Sequence, residues 1–364
     1  GYKTLEDNSV GRYNVGLGHQ VLKQNTTGES NVAIGYQALN TNTTGSENVA
    51  LGKNALAQNT IGNHNIALGA AALYANTTGY RNVAIGKDAM QKNTTGIENV
   101  AIGHEALIEN ITGALNVAVG KSALRSNTSG ARNVSLGYNA LYSNTIGSDN
   151  VALGDSALYN NTTGVKNIGI GRDALKENIT GIRNTAIGDA ALRQSVSATN
   201  NTAVGYSALL DNTTGINNTS VGSEALTNNT TGQGNVALGH EALKENTSGI
   251  YNTALGKSTL KDLTIGVRNV ALGYQAGQNL TTGNDNIAIG FDALSTSTTG
   301  DSNIAIGTNA ANNAASGSNC ITIGDDATNS TTTISNEITL GNSSITTLRT
   351  AGNILPFVDD SKDL

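Results

Sequence analysis

Apolar and polar residues along the chain follow one pattern that returns every 17 residues. Counting the asparagine of "NVAIG" as position 1, the unit reads N-[VIT]-A-[ILV]-G-x-x-A-L-x-x-N-T-T-G-x-x, and it begins at Asn14, Asn31, Asn48 and so on. Twenty units fit without an insertion, with leucine, isoleucine or valine always at position 4 and glycine always at position 5. Self-similarity at a short fixed period indicates a repeat protein in which each unit is one structural step.

The segment "NVAIG" in each unit has the alternation of a β-strand. Successive side chains of a strand face opposite sides, so positions 2 and 4 share one face and positions 3 and 5 share the other. We expect the aliphatic residues at positions 2 and 4, such as Leu51 and Leu68, to fill the inside of the structure together with leucine at position 9, such as Leu56. The stretch "NTTG" is typical of a turn, because asparagine and glycine tolerate left-handed φ.

One unit is therefore predicted to be one coil of an all-β, parallel β-solenoid. The unit is shorter than helical-hairpin repeats and lacks the framework of leucine-rich repeats. About 20 coils, each about 4.8 Å from the next, would form a rod of roughly 95 Å. The glycines at position 5 predict corners with positive φ or a close backbone approach, and the asparagines at position 12 predict a structural ladder. The first corners are Gly18, Gly35, Gly52, Gly69, Gly86 and Gly103, and the first ladder residues are Asn25, Asn42, Asn59, Asn76 and Asn93.

The pattern weakens toward the end of the chain. Position 12 is no longer asparagine from Leu263 onward, so we expect a repeat shaft over residues 1–353 whose coils after about residue 263 are degenerate. Residues 354–364, which contain the single proline, are expected to form an extended segment leading to a further domain. The first residues fit positions 5 to 17 of one more unit, so more of the same structure is expected before Gly1.

The second strand face carries small residues in long rows. Alanine at position 3, such as Ala50 and Ala67, shares this face with glycine at position 5, and a further alanine follows at position 8. Small side chains let another backbone come close, and a long apolar surface of this kind needs cover. We expect this face to pack against identical chains; the alternative is that alanine merely fits a narrow coil.

The segments "NVAIGYQAL", "NVAIGKDAM" and "NIAIGFDAL" resemble the head repeats of trimeric autotransporter adhesins, the YadA-like heads. The resemblance covers roughly residues 1–341 and implies a left-handed parallel β-roll assembled as an intertwined or side-by-side homotrimer. The unit here is longer, with the extra residues around "NTTG", and this longer form is similar to repeats of phage and other viral tail-fibre proteins. The tail "ITLGNSSITTLRTAGNILPFVDDSKDL" resembles the segment that leads into a C-terminal chaperone domain in such fibres.

Composition and charge argue against several classes of partner and activity. Only 13% of the residues are charged, the net charge is −6 and no Lys/Arg block occurs, so no nucleic-acid partner is expected. No apolar run approaches the roughly 20 residues of a membrane-spanning helix, so no membrane insertion of this segment is expected. No Ser/His/Asp group, paired carboxylates or phosphate-binding loop stands apart from the repeat, and Cys320 is the single cysteine. We therefore predict no enzyme, no cofactor and no metal.

Two rows of residues are candidates for surface contacts. Position 6 is rich in rings and cations, and position 7 beside it is often acidic; the alternative to a binding role is a solvated corner with weak charge pairs between coils. The Asn-Thr-Thr motif matches the N-glycosylation signal, although a structural ladder explains it better. Histidines at position 6 could share a metal only with symmetry mates. The rings proposed to stack on host glycans are Tyr36, Tyr138, Tyr206, Tyr274 and Phe291.

The function expected from these features is that of a structural shaft. The shaft would belong to an extracellular homotrimeric fibre of tail-fibre type, serving as a rigid spacer and as a contact with the host surface. Its partners would be its own copies and a host-cell glycan or protein. The alternative is the head of a bacterial trimeric autotransporter adhesin, and a glycan-active or ice-binding solenoid is a further alternative.

Overall fold

The computed structural model describes residues 1–347, which form one 20-stranded sheet wound into a solenoid. Every strand is three residues long and comprises positions 2 to 4 of a unit. The predicted extended segment 354–364 lies outside the described residues. The strands are β1 (Val15–Leu17), β2 (Val32–Ile34), β3 (Val49–Leu51), β4 (Ile66–Leu68), β5 (Val83–Ile85), β6 (Val100–Ile102), β7 (Val117–Val119), β8 (Val134–Leu136), β9 (Val151–Leu153), β10 (Ile168–Ile170), β11 (Thr185–Ile187), β12 (Thr202–Val204), β13 (Thr219–Val221), β14 (Val236–Leu238), β15 (Thr253–Leu255), β16 (Val270–Leu272), β17 (Ile287–Ile289), β18 (Ile304–Ile306), β19 (Ile321–Ile323) and β20 (Ile338–Leu340).

Each strand pairs in parallel with the next strand along the chain, so equivalent positions of successive units lie side by side. Between β2 and β3, Val32 pairs with Val49 and Ile34 pairs with Leu51. The same register continues to the last pair, β19 with β20. The result is a solenoid of about 19 turns, with no helix among residues 1–347. The predicted all-β parallel solenoid is therefore confirmed.

The inside of the coil is lined by different residues from those predicted. Ala50 and Ala67 at position 3 are fully buried, whereas Leu51 is 42% exposed and Leu68 is only half-buried. Leu56 at position 9 is buried as predicted, and the alanine before it is buried too. The prediction that positions 2 and 4 fill the interior is wrong, and so is the prediction that the alanine rows meet other chains. In each strand, position 3 faces the inside of the coil and positions 2 and 4 face outward.

The narrow width of the coil explains why alanine lines it. At Gly169, which occupies an alanine slot, an added Cβ would lie 3.2 Å from the carbonyl oxygen of Ala174 and 3.3 Å from Cγ of Leu158. This wall therefore has room for one methyl group, because the position 9 leucines already fill the centre. Ser135, in the same slot, fits because its hydroxyl donates to the carbonyl oxygen of Ala140 at 2.7 Å. The branched side chains at positions 2 and 4 must point outward.

The corners of the coil depend on left-handed backbone at unexpected positions. Residues at positions 7, 9 and 17 have positive φ, for example +55° at Gln37, +49° at Leu39 and +57° at Glu47. Glycine at position 5 has a φ of +142° at Gly52, and a Cβ there would overlap the carbonyl oxygen of Gly69 in the next coil. The asparagine and glycine of "NTTG" have no positive φ in the regular coils. The left-handed turn predicted for "NTTG" is therefore wrong; the chain makes a bend there.

Candidate functional site

The side chains at positions 2 and 4 of β1 to β20 form one outward surface, called here the aliphatic face. Its members are half-buried or exposed; Leu238 is 50% exposed and Leu272 is 45% exposed. The parallel register places each side chain beside its equivalent in the next coil, as where Leu51 lies beside Leu68. Apart from four threonines, every residue on this face is valine, isoleucine or leucine. Two rows of almost entirely apolar side chains therefore run along the solenoid.

The aliphatic face is large for a surface open to solvent. Twenty strands spaced about 4.8 Å apart and about 10 Å wide give a strip of roughly 900 Å². The largest apolar patch on a typical monomer is about 300–600 Å², and larger patches mark interaction sites. The aliphatic face is therefore the strongest candidate for a functional surface in the described part of the chain.

The four polar residues on the aliphatic face all lie at position 2: Thr185, Thr202, Thr219 and Thr253. Thr202 pairs with both Thr185 and Thr219, so three threonines are consecutive. Threonines on other walls bond to their own chain, as where Thr60 Oγ1 donates to the carbonyl oxygen of Thr77 at 3.0 Å. The hydroxyls of the four face threonines make no such bond within residues 1–347, and the residues themselves are half-buried or exposed.

Two ladders of buried asparagines run along the inside of the solenoid. At position 12, Asn42 Nδ2 donates to Asn25 Oδ1 at 2.7 Å and to the carbonyl oxygen of Gly45 at 2.8 Å. At position 1, both the backbone nitrogen and Nδ2 of Asn48 donate to Asn31 Oδ1, at 3.0 Å and 3.1 Å. The predicted ladder residues Asn25, Asn42, Asn59, Asn76 and Asn93 are all fully buried. Their amides are therefore closed to glycosylation in the folded chain.

The position 12 ladder is broken where another residue replaces asparagine. Ser195 is too short to continue it, so Asn178 Oδ1 and Ser195 Oγ are both buried without a partner. Leu263 replaces the next asparagine after Asn246, whose Oδ1 is also without a partner. The position 1 ladder continues past both points, since Asn201 accepts from Asn218 and the chain of bonds reaches Cys320. The second ladder therefore carries the amide bonding through coils in which the first fails.

The five rings proposed to contact glycans are exposed, between 40% and 57%, but they do not form one site. Only Tyr274 and Phe291 are neighbours, with ring centroids 5.2 Å apart and planes at 11°. Tyr36 stacks on His19 at 5.2 Å, and Lys121 lies 5.8 Å from the centre of the Tyr138 ring. Within residues 1–347, no stacked ring lies on Tyr206, the most exposed of the five. The row therefore offers a sugar separate rings and one stacked pair, without a continuous aromatic surface.

Ion pairs connect successive coils along the solvent-exposed walls. The densest group surrounds Glu241, which accepts from Lys244 Nζ at 3.1 Å and from Lys261 Nζ at 3.0 Å. Lys244 Nζ also donates to Glu224 at 2.6 Å. Burial alone would raise the pKa of Glu241, but the two lysine hydrogen bonds outweigh it and lower this pKa to about 2. These pairs link position 10 to position 7, a contact that the sequence prediction for positions 6 and 7 missed.

The remaining chemistry in the described chain is sparse. Within residues 1–347 there is no group of three or more His, Cys, Asp or Glu residues that could hold a metal ion. The same residues contain no helix with the length and apolarity needed to span a membrane. Cys320 is a buried free thiol, with Sγ 3.3 Å from the carbonyl oxygen of Ile334.

Sequence reasoning missed the position 1 ladder and the outward aliphatic face. The near-constant asparagine at position 1 is the sequence signal for that ladder. The sequence signal for the face is that only alanine, glycine, serine and threonine occur at position 3, which fits a narrow interior. Ser135 and Ser220 fit there because each hydroxyl donates to a buried carbonyl oxygen. No family model and no curated protein matches this sequence.

Proposed function

We propose that this chain is the rigid shaft of an extracellular homotrimeric fibre, in which copies pack together through their aliphatic faces. The observation that carries the proposal is the continuous aliphatic face along β1 to β20. A soluble monomer with a strip of roughly 900 Å² of exposed valine, isoleucine and leucine would be prone to associate, because removing that area from water is favourable.

A second copy of this chain is the partner that fits the aliphatic face best. Its side chains repeat every strand spacing, about 4.8 Å, and only a surface with the same spacing can interdigitate with them along the whole length. A second copy has the same spacing because it is the same solenoid. The strip of roughly 900 Å² also reaches the approximately 800 Å² per partner of a stable protein interface. No charged residue occurs at positions 2 or 4 to oppose that packing.

Three copies are favoured by the shape of the face and by the resemblance to trimeric fibre repeats. Each face is about 10 Å wide, the width of one three-residue strand. Three such narrow strips can close around one axis, so that every strip touches both of its neighbours and none is left open to water. The alanine rows take no part, since they are buried inside each coil.

The mechanical role follows from the bonding inside each chain. Every coil is joined to the next by parallel strand pairing and by asparagine bonds such as Asn59 to Asn42 at 2.8 Å. Such bonds run along the solenoid axis, so bending would stretch many of them together. The chain would serve as a rigid spacer, with exposed corners available for contact with a host glycan or protein. The exposed pair Tyr274 and Phe291 is the first place to test for glycan binding on an array.

Multi-angle light scattering tests the assembly. A homotrimer has three times the 37.1 kDa mass of the chain, and a mass of 37.1 kDa at micromolar concentration would refute the proposal. The double variant Leu136→Glu, Leu238→Glu places two charges on the aliphatic face, at sites 43% and 50% exposed. We expect it to dissociate. The control Ile146→Glu, Ile265→Glu adds the same charges at sites 55% and 53% exposed on another wall and should keep the assembly.

The head of a bacterial trimeric adhesin remains the second candidate, because the same exposed aliphatic face would serve it. The gene sequence that follows Leu364 separates the two. A chaperone domain there supports the tail fibre, and a membrane β-barrel anchor supports the adhesin.

A further inference from the structure

A shaft built from near-identical coils has a problem of axial register. If one chain slides along its neighbour by a whole coil, the aliphatic side chains meet equivalent side chains again. Such a slip loses only about one-twentieth of the contact, given 20 strands. The coils therefore specify the spacing between chains but not which coil meets which. Something else on the aliphatic face must distinguish the flush arrangement from the slipped ones.

We infer that Thr185, Thr202, Thr219 and Thr253 set the axial register of the associated chains. The inference rests on the proposed self-association and names the residues that make it specific. These four are the only polar side chains on the aliphatic face of β1 to β20. Threonine has nearly the shape of valine, so it keeps the packing and changes only the polarity.

The hydroxyls of these threonines need partners once the face is covered. They make no side-chain hydrogen bond within the described chain, and their residues are half-buried or exposed. When copies lie flush, each threonine layer meets the same layer of its neighbour, so hydroxyl can bond to hydroxyl. A slipped copy brings valine or isoleucine opposite a hydroxyl instead. A hydroxyl buried without a partner is unfavourable, so the slipped arrangement loses stability.

The spacing of the four threonines makes the flush arrangement unique. They occupy β11, β12, β13 and β15, with Val236 of β14 interrupting the block. A slip of one or two coils matches only two of the four layers, and a slip of three or four coils matches only one. An antiparallel arrangement matches at most three layers, because reversal places the lone threonine layer on the opposite side of the block of three. Only parallel, flush chains match all four.

The experiment compares disulfide yields between chains in the Cys320→Ala background. One tagged chain carries Leu51→Cys, and its co-expressed partner carries either Leu51→Cys or Leu68→Cys, one coil away. With the natural threonines, we expect the flush 51–51 link to exceed the slipped 51–68 link several-fold. In the variant T185V/T202V/T219V/T253V, we expect the two yields to become comparable.

The control variant T44V/T78V/T95V/T231V removes the same number of hydroxyls from exposed position 14 and should keep the flush preference. Light scattering on every variant separates the two proposals. A trimeric mass, three times 37.1 kDa, with a flush preference that survives in T185V/T202V/T219V/T253V overturns the register inference and leaves the shaft intact. A 37.1 kDa monomer with neither link overturns the shaft and the register together.

Discussion

Glycine at position 5 is fixed by both backbone angle and space. Gly103 has a φ of +139°, a region in which only glycine is unstrained, and a Cβ there would overlap the carbonyl oxygen of Gly120 in the next coil. Glycine at position 17 is different. Gly234 has a φ of +65°, but residues such as Glu47 and His64 adopt nearly the same angle at this position in other coils. A side chain can therefore stand at position 17 and cannot stand at position 5.

Gly103→Ala should lower the free energy of unfolding by about 3 kcal/mol or more, because strain and backbone overlap add. The measurement is the shift in the midpoint of chemical denaturation. Gly234→Ala is the matched control, since its Cβ would meet only the movable ring of Tyr251, and we expect a cost of about 1 kcal/mol or less. Equal effects of the two substitutions would show that position 5 is not the constrained corner.

Glu241 makes stability depend on pH in acid. Its pKa is lowered from 4.5 to about 2 in the folded chain, so folding favours the ionised form. The stabilisation is complete above about pH 4.5 and is lost as pH falls toward 2. Glu241→Gln should cost about 1 kcal/mol at neutral pH, and this difference from the natural chain should shrink as the pH falls below 4.5. Denaturation at several pH values measures it.

Glu29→Gln removes an exposed carboxylate in another coil and is the control for the loss of one charge. A Glu241→Gln cost that stays constant down to pH 2 would contradict the lysine pairing.

Within one coil, the position 12 asparagine and the position 15 glycine depend on each other. A Cβ on Gly181 would overlap Asn178 Oδ1 of the same coil. In the next coil Ser195 replaces the asparagine, and there Ala198 replaces the glycine and is fully buried. The shorter serine side chain leaves the space that the alanine methyl group occupies. The coil with the broken ladder is therefore internally consistent, with two substitutions that accommodate each other.

A double-mutant cycle tests this coupling. Ser195→Asn alone should destabilise the chain, because the new amide would collide with the methyl group of Ala198. Ser195→Asn with Ala198→Gly should restore the ladder to Asn178 Oδ1 and stabilise the chain by about 1 kcal/mol relative to the natural pair. Ala198→Gly alone isolates the loss of the methyl group. Additive effects in denaturation midpoints would show that the two positions are independent.

The sequence predicted the elements of this fold but not which way they face. The period, the strand at positions 2 to 4 and the buried leucine at position 9 follow from local pattern, and Val32 pairs with Val49 as that pattern requires. Strand alternation separates Ala50 from Leu51 but does not say which of them is inside. That choice depends on the width of the coil, which is set by packing between coils, as where Leu158 of the preceding coil lies close to Gly169. The aliphatic face was expected on the inside for this reason.

Over the whole molecule, the solenoid behaves as a stack in which each coil meets only its neighbours. The strand pairings, the asparagine ladders and many of the ion pairs join residues one coil apart, as in Arg132 with Asp149 and Asn150 with Asn133. Stability in such an array is close to a sum of coil and interface contributions. The number of coils then sets the length of the solenoid, and it can change without changing the structure of any one coil.

Removal of residues 82–166, five whole units, joins Arg81 to Asn167 and keeps every remaining coil in register. We expect this shortened chain to fold and to lose about 24 Å of length, at about 4.8 Å per coil. Small-angle X-ray scattering measures the length, and light scattering should show the same number of chains. Removal of residues 82–158 deletes slightly less but joins position 17 to position 10, which breaks the register at one coil. That control should lose cooperative unfolding or aggregate. If the whole-unit deletion fails to fold while the out-of-register deletion folds normally, then length is not set by independent coils.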